Sequence, residues 1–380
     1  MRKPDPLFGS FFLGGFECTT GHHARGGWLD QVAATEHDRF AAEDYALLAS
    51  AGIRGTREGI RWPVVDVGRS FDFASVLPVL AAARLHSATV IWDLFHFGYP
   101  PELDPLSRAF RDRFAEYAGL AARFVSRESD GPHWFTPVNE PSYLAWAGGE
   151  AGLFGPGWNG RAPELKGALL EAWLAGREAI LAVCPSARFV AVDPIVRVVP
   201  PAHRPDLAPA AEAFNEGAVL EGWDFLHRNE ALDVLGVNYY WTSQWELGVP
   251  GHLALEDPRR EPLSTLLRRL FERYRKPILV SETSHVGAQR AAWMREAARE
   301  VAACLAEGIP IVGLCWYPVL SMPEWEDPAR WTRMGLWDLA PEEGRLRRVP
   351  CRDVLAALDD ARDILAPWLG ERERAQPAQP

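Results

Sequence analysis

The sequence predicts an α/β protein built as a closed (β/α)8 barrel, a TIM barrel, in a single domain. Eight β-prone stretches alternate with eight stretches of helical spacing between residues 11 and 365. Most of the β-prone stretches are continuous apolar runs, which is typical of parallel strands buried on both faces. Alternating strands and helices indicate a parallel sheet, and eight such units indicate a closed barrel.

The predicted elements follow one another in a regular order. The strands are expected at 11–17, 53–59, 88–96, 134–140, 188–193, 232–240, 277–284 and 311–317. The helices, marked by the spacing of apolar residues, are expected at 36–50, 76–85, 108–126, 165–183, 210–229, 263–274, 288–307 and 351–365. Gly52 is a typical C-terminal residue for the first helix, and Pro141 is expected to stop the fourth strand. The second strand has the weakest pattern because it carries several charges.

The sequence also bears on an alternative fold and on the domain boundaries. An open doubly wound sheet would need a G-x-G-x-x-G turn after the first strand, and the glycines of 9–15 lack that spacing. No linker divides the chain, so residues 1–370 are expected to form one barrel domain. Residues 371–380 are charged and rich in Pro and Ala, and they are expected to be disordered.

Composition excludes several classes of function. A net charge of −11 disfavours nucleic acid as a partner. No apolar run reaches the roughly 18 residues of a membrane helix, and no signal peptide is evident, so we expect a cytoplasmic protein without membrane contact. The five cysteines show no C-x-x-C spacing and are expected to be free thiols. We expect no metal and no cofactor, and His22 and His23 are more typical of a solvated or substrate-facing loop than of metal ligands.

Polar residues recur where the predicted strands end. In a (β/α)8 barrel these ends meet at one rim, which carries the active site. Burying so many polar groups in one place costs free energy unless they serve each other or a ligand. The candidate site residues at the strand ends are Glu17, Arg57, His96, Asn139, Glu140, Asn238, Tyr240, Glu282 and Trp316.

Two of these residues suggest glycoside hydrolysis. Glu140 ends the fourth strand and Glu282 ends the seventh, so their carboxyl groups can converge across the barrel mouth. One carboxylic acid must protonate the leaving oxygen, and the other must be ionised to attack the anomeric carbon or to activate water. Arg57 could keep its carboxylate neighbour ionised, and Tyr240 could donate a hydrogen bond to the same oxygen.

The motifs around these residues resemble those of the glycoside hydrolase family 1 β-glycosidases. The segment 136–141, T-P-V-N-E-P, is similar to the family's T-F-N-E-P with one extra residue, and 279–283, L-V-S-E-T, stands where the family has T-E-N-G. Further similar segments, in family order, are R-E-G-I-R-W-P at 57–63, H-F-G-Y-P at 96–100, G-V-N-Y-Y at 236–240, E-W at 324–325 and R-M-G-L at 333–336. The similarity spans roughly residues 11–338.

The resemblance implies a retaining β-glycosidase of the β-glucosidase or β-galactosidase type, active in carbohydrate metabolism. Glu140 would be the acid/base and Glu282 the nucleophile. Trp316 would form the floor of the sugar subsite and would share a cis peptide bond with Tyr317. The implied sugar-binding residues are His96, Asn139, Glu324 and Trp325, and Asn238 is a further substrate-binding candidate.

The chain also departs from the family pattern. Glu17 stands where the family has Gln, which could favour a cationic amino sugar. The chain is short for the family, so the loops on the aglycone side are reduced, and the expected partner is a small-molecule glycoside. The alternatives are a non-hydrolytic sugar-binding or accessory barrel and an enzyme that transglycosylates. An isomerase or aldolase would want a metal cluster or a Schiff-base Lys, and no Lys stands at a strand end.

Overall fold

The computed structural model describes residues 6–370 and contains the closed parallel barrel that the sequence predicts. Each strand pairs in parallel with the strands before and after it, and the eighth closes the barrel against the first, with Leu13 opposite Cys315. The barrel strands are β1 Phe12–Gly15, β2 Gly55–Gly59, β3 Thr89–Asp93, β4 Trp134–Thr136, β5 Arg188–Pro194, β6 Val234–Asn238, β7 Ile278–Thr283 and β8 Ile311–Trp316. The predicted tail at 371–380 lies outside the described residues.

Helices surround the barrel, mostly where the apolar spacing predicts them. The longer ones are α1 His37–Ser50, α2 Leu77–Leu85, α3 Arg108–Glu128, α4 Pro141–Gly149, α5 Ala162–Val183, α6 Glu221–Arg228, α7 Leu263–Tyr274, α8 Arg290–Ala306 and α9 Arg352–Leu365. Short helical segments lie at Gln31–Ala34, Trp62–Val65, Ala74–Val76, Pro205–Leu207, Ala208–Phe214, Asn215–Val219 and Gly287–Gln289. Among the described residues, no helix has both the length and the apolar character needed to cross a membrane.

Two predictions about these elements were wrong. The strand expected at 134–140 ends at Thr136, so Glu140 does not end it, and Pro141 is the first residue of α4, a position where the missing N–H of proline costs nothing. The helix expected at 210–229 is broken by a π-turn at Asn215–Val219. The Asn215 side chain there exchanges two hydrogen bonds with the backbone of Val198, so it fixes the neighbouring segment instead of continuing a regular helix.

Within residues 6–370, four small two-stranded sheets lie outside the barrel. Three are antiparallel pairs, and Arg197–Val199 pairs in parallel with Gln244–Glu246. The antiparallel pairs are Thr20–His23 with Gly27–Asp30, Met322–Pro323 with Trp331–Thr332, and Trp337–Glu342 with Arg345–Pro350. His23 lies in the first of these pairs, and its Nδ1 accepts hydrogen bonds from the backbone of Arg25 and Gly26, which gives it a structural role.

The apolar core has two layers separated by the strands. On β5, Val190 and Val192 belong to the cluster inside the barrel, whereas Phe189 and Ala191 pack outward against the helices. This alternation is the period-2 geometry of a strand, and it explains why both faces are apolar. Phe8 and Trp134 meet at 4.8 Å inside the barrel. The inner cluster of the barrel is thus apolar, and the polar residues of the candidate site lie towards the strand ends.

A buried ion network attaches the hairpin at 345–350 to α1. His37 Nδ1 lies 2.7 Å from Asp44, and its Nε2 lies 3.2 Å from Glu58 at the end of β2. Arg348 contacts the same Asp44 carboxylate at 2.7 Å. Burial lowers the pKa of His37, but Glu58 and Asp44 outweigh it and raise the pKa to about 9.

This network makes the stability of the fold depend on pH. The folded pKa of His37 lies above its unfolded value, so the stabilisation is complete below about pH 6.5 and is lost as pH rises through 9. The shift corresponds to roughly 3 kcal/mol of unfolding free energy. We expect urea unfolding to show this fall between pH 6.5 and 9, and His37→Gln to remove it. The control His22→Gln, at an exposed site, should keep the fall in unfolding free energy. If His37→Gln shows the same fall as this control, His37 is not its cause.

Candidate active site

Glu282 lies near the end of β7, and an irregularity in the strand directs it to the barrel mouth. Leu279 points into the barrel, so strict alternation would turn Glu282 outward. The register of β7 against β6 shifts between Val280 and Glu282, as at a β-bulge, and this places the carboxylate on the inner side. Glu282 is only 5% exposed, and both of its carboxylate oxygens are held by hydrogen bonds.

Glu140 lies four residues beyond the end of β4 and immediately before α4. Its backbone is left-handed, with φ 46° and ψ 59°, which costs a non-glycine residue on the order of 1–3 kcal/mol. Backbone hydrogen bonds on both sides hold this conformation: Asn139 N donates to Phe95 O, and Glu140 N donates to Val192 O. The strained turn thus places a carboxyl group at the rim with its position fixed by the neighbouring strands.

Arg57 of β2 connects the groups of the site. One terminal nitrogen donates to Glu282 Oε1 at 2.7 Å and to the backbone oxygen of Ser281 at 3.0 Å. The other donates to Asp93 Oδ2 at 2.6 Å and to Asn139 Oδ1 at 2.9 Å. Because the guanidinium is fully buried, its charge needs these carboxylates as partners.

The end of β6 joins the two glutamates. Asn238 Nδ2 donates to Glu140 Oε1 at 2.8 Å, while Asn238 Oδ1 accepts from the Ser281 hydroxyl at 2.7 Å. Asn238 is also the register partner of Glu282 across the sheet. Tyr240 donates to Glu282 Oε2 at 2.9 Å, which is the oxygen that Arg57 does not contact, whereas the sequence suggested one shared oxygen.

The electrostatics distinguish the two carboxyl groups. Burial and the nearby Glu282 charge raise the pKa of Glu140 well above its usual range. Burial also raises the pKa of Glu282, but the Arg57 guanidinium opposes this rise. We infer that the pair shares a proton unevenly, with the proton on Glu140 and the charge on Glu282.

Glu17 and His96 lie together beside this pair. His96 Nε2 is 3.6 Å from Glu17 Oε1 and 3.4 Å from Asn139 Nδ2. Glu17 is 7% exposed, and the same Oε1 accepts a hydrogen bond from the backbone of Thr19. Glu17 thus adds a further carboxylate at the border of the site, where it can accept hydrogen bonds from hydroxyl or ammonium groups.

The two candidate tryptophans and Glu324 have contacts of their own outside this network. Trp316 is buried at the end of β8 and donates to Met334 O at 2.9 Å. Trp325 packs in an aromatic cluster with Phe97, Tyr143 and Phe154. The Glu324 carboxylate instead lies 3.3 Å from Arg330 and is about one-third exposed. The cis peptide bond expected between Trp316 and Tyr317 was wrong by one position, since it lies between Tyr317 and Pro318.

The sequence reasoning missed two carboxylates of the site. Asp93 ends β3 and pairs with Arg57, and Asp193 lies near the end of β5, so both carry the same strand-end signal as the candidates. Asp193 accepts hydrogen bonds from the Ser142 backbone at 3.0 Å and from its hydroxyl at 2.5 Å. It therefore holds the first turn of α4 directly behind Glu140, and burial raises its pKa to about 7.

Asp193→Asn should change the protonation of Glu140 without removing either glutamate. The Asp193 charge is one of the causes that raise the pKa of Glu140, so its loss should lower that pKa. In any reaction that needs protonated Glu140, activity falls as pH rises through this pKa, and the alkaline limb should move to lower pH. A pH profile of kcat/KM measures this. An unmoved limb, as expected for the exposed control Asp206→Asn, would contradict the coupling.

Comparisons with solved structures agree on the fold. The family 1 β-glucosidase from Thermotoga maritima is 15% identical with a TM-score of 0.78, covering 95% of this chain and 99% of that one. The β-glycosidase BGL167 is 21% identical with a TM-score of 0.74, covering 94% and 96%. The virulence factor SghA from Agrobacterium tumefaciens is 18% identical with a TM-score of 0.73, covering 92% and 96%. No protein-family profile and no curated sequence matches the chain. The chain, a closed (β/α)8 barrel, thus shares its fold with these solved structures.

Proposed function

We propose that this protein is a retaining β-glycosidase related to glycoside hydrolase family 1, hydrolysing a small β-glycoside. The proposal depends on one observation above all. Glu140 is a buried carboxyl group with a raised pKa, and Glu282 is a carboxylate held by a buried arginine. Asn238 joins the two at a single barrel rim, because it donates to Glu140 and is the register partner of Glu282. Two carboxyl groups in opposite protonation states are the minimum that glycoside hydrolysis needs.

In the first step, the ionised Glu282 attacks the anomeric carbon while Glu140 protonates the departing glycosidic oxygen. Arg57 and Tyr240 hold separate oxygens of Glu282, so the carboxylate is oriented before the substrate arrives. The new bond joins a Glu282 oxygen to the sugar, and the bond to the aglycone breaks. The products are a glycosyl ester and a free alcohol.

In the second step, Glu140 acts as a base. Formation of the ester removes the Glu282 charge, which is a main reason for the raised pKa of Glu140. The pKa of Glu140 therefore falls when it must accept a proton from the attacking water. Water then adds to the anomeric carbon and releases Glu282 as a carboxylate. Two inversions give a product with the configuration of the substrate.

The solved structures of similar fold support the choice of substrate class. One of them is a β-glucosidase from Thermotoga maritima in complex with glucoimidazole, with a TM-score of 0.76 and 15% identity. Glu17 and His96 border the same network, and Trp316 is buried at the end of β8. We assign to these residues, with Asn139, Asn238 and Trp325, the binding of the sugar. A cytoplasmic place suits an imported or metabolic glycoside.

A panel of nitrophenyl glycosides tests the proposal. We expect turnover of β-glucosides or β-galactosides and none of the matched α-anomers. Amino sugars belong in the panel because Glu17 adds a carboxylate to the site. A folded protein that binds these sugars in calorimetry but hydrolyses none of them would support a sugar-binding barrel instead.

A further inference from the structure

Cys18, Asp93 and His96 form a compact cluster behind the rim. Each offers one ligand atom, and these three atoms all lie within 4.8 Å of one another. His96 Nδ1 lies 3.6 Å from Asp93 Oδ2. All three residues are buried, with Cys18 at 3% exposure, Asp93 at 1% and His96 at 8%. They come from two separate strand ends, so the barrel itself brings them together.

Two polar atoms of this cluster have no hydrogen-bond partner among the described residues. They are His96 Nδ1 and Asp93 Oδ1, and both are inaccessible to solvent. A cavity of about 10 Å³ adjoins them and is lined by all three residues of the cluster, together with Thr20, Gly59 and Gly98. Leaving such atoms buried without a partner costs about 1–3 kcal/mol each, so this place is suited to a ligand that bonds to both.

The surrounding charges favour a cation. Arg57 contacts both Asp93 and Glu282, so its charge is already matched. Glu17 adds another carboxylate beside His96. Burial raises the pKa of the Cys18 thiol, so a metal ion that binds its sulfur must displace the thiol proton. A divalent ion would offset this excess, whereas an anion would be repelled.

We propose that Cys18 Sγ, Asp93 and His96 Nδ1 bind a thiophilic divalent metal ion of the zinc type, with water in a fourth position. Sulfur, imidazole and carboxylate together make a typical zinc donor set. Bond lengths of about 2.0–2.3 Å separate tetrahedral ligands by roughly 3.5 Å, so ligand atoms that now lie up to 4.8 Å apart would approach one another when the ion binds. The 10 Å³ cavity is close to the space that one water requires.

Metal binding at this place would fix His96 rather than take part in the reaction. The ion would occupy Nδ1, so the proton would reside on Nε2, which faces the acceptor Glu17 Oε1 at 3.6 Å. The imidazole would then present one defined donor to the rim. This inference does not depend on the proposed glycosidase activity, because metal binding is measured directly.

Cobalt titration of the full chain after treatment with a chelator tests the site. We expect one Co²⁺ per chain and a near-ultraviolet absorption band from thiolate-to-cobalt charge transfer, with Zn²⁺ displacing Co²⁺. Cys18→Ser should abolish the band and weaken binding by more than about 100-fold, since even an outer partner of a metal ligand costs 10–100-fold. Cys351→Ser, at a half-buried thiol outside the cluster, should change neither.

Two results would overturn the proposal. Absence of the thiolate band in the wild-type chain would mean that the cluster holds only a water molecule. Persistence of the band in folded Cys18→Ser would place the metal at another thiol. The first of these tests needs only the wild-type spectrum. The proposal can therefore be refuted even if the Cys18→Ser variant does not fold.

Discussion

Glu282→Gln should lower the turnover of a nitrophenyl β-glucoside by at least about four orders of magnitude. The amide cannot form the glycosyl ester. Arg57 and Tyr240, which donate hydrogen bonds to the Glu282 carboxylate, would then face a neutral group. A nitrophenyl leaving group needs little acid assistance, so the loss reports the nucleophile rather than the acid. Steady-state kcat/KM against wild type is the measurement.

The control for this variant is Glu307→Gln. Glu307 is the residue that follows α8, and among the described contacts its carboxylate pairs with Arg268 of α7. It should keep wild-type activity. Full activity of Glu282→Gln would remove Glu282 from the nucleophilic role, and thermal unfolding of both variants would show whether a loss reflects the fold.

Glu140→Ala should lose about 10²- to 10⁴-fold in turnover, the usual contribution of general acid–base catalysis. The first step should be spared for a dinitrophenyl glycoside, because its leaving group departs without a proton. The second step should be slow, so the glycosyl ester should accumulate and give a burst of released phenol. Azide, which attacks without base assistance, should restore turnover and yield a glycosyl azide.

Leaving-group dependence provides the control for this second variant. The rate of Glu140→Ala should fall steeply from dinitrophenyl to unactivated aryl glycosides, while the wild type should change little. If azide gives no rescue in a folded variant and the leaving group has no effect, Glu140 is not the acid/base.

The barrel could be predicted from sequence because each of its strands and helices is marked by a pattern of neighbouring residues. Eight β-prone stretches, most of them apolar runs and each followed by helical spacing, identify the strands without knowledge of their partners. Glu140, Glu282 and Arg57 could also be selected from the sequence, because polar residues buried near strand ends cost free energy unless they contact each other or a ligand. Pro141 could have indicated α4, because proline is frequent at the first position of a helix.

Other features depend on tertiary geometry that no local pattern carries. The register shift before Glu282 and the left-handed backbone of Glu140 arise from packing against neighbouring strands. Asp193 acts on Glu140 through Ser142, a contact between residues 51 positions apart in sequence. Glu324 matches a family motif in sequence, yet its carboxylate is oriented by Arg330. A motif identifies a residue, but only its contacts show where the side chain is held.

The stereochemistry of hydrolysis tests the central claim most directly. Proton NMR of the first sugar released from a nitrophenyl β-glycoside, recorded before mutarotation, distinguishes the two anomers. If Glu282 forms an ester and Glu140 then activates water, the β-anomer appears first. Initial release of the α-anomer would mean a single displacement by water, and it would contradict the assignment of Glu282 as a nucleophile.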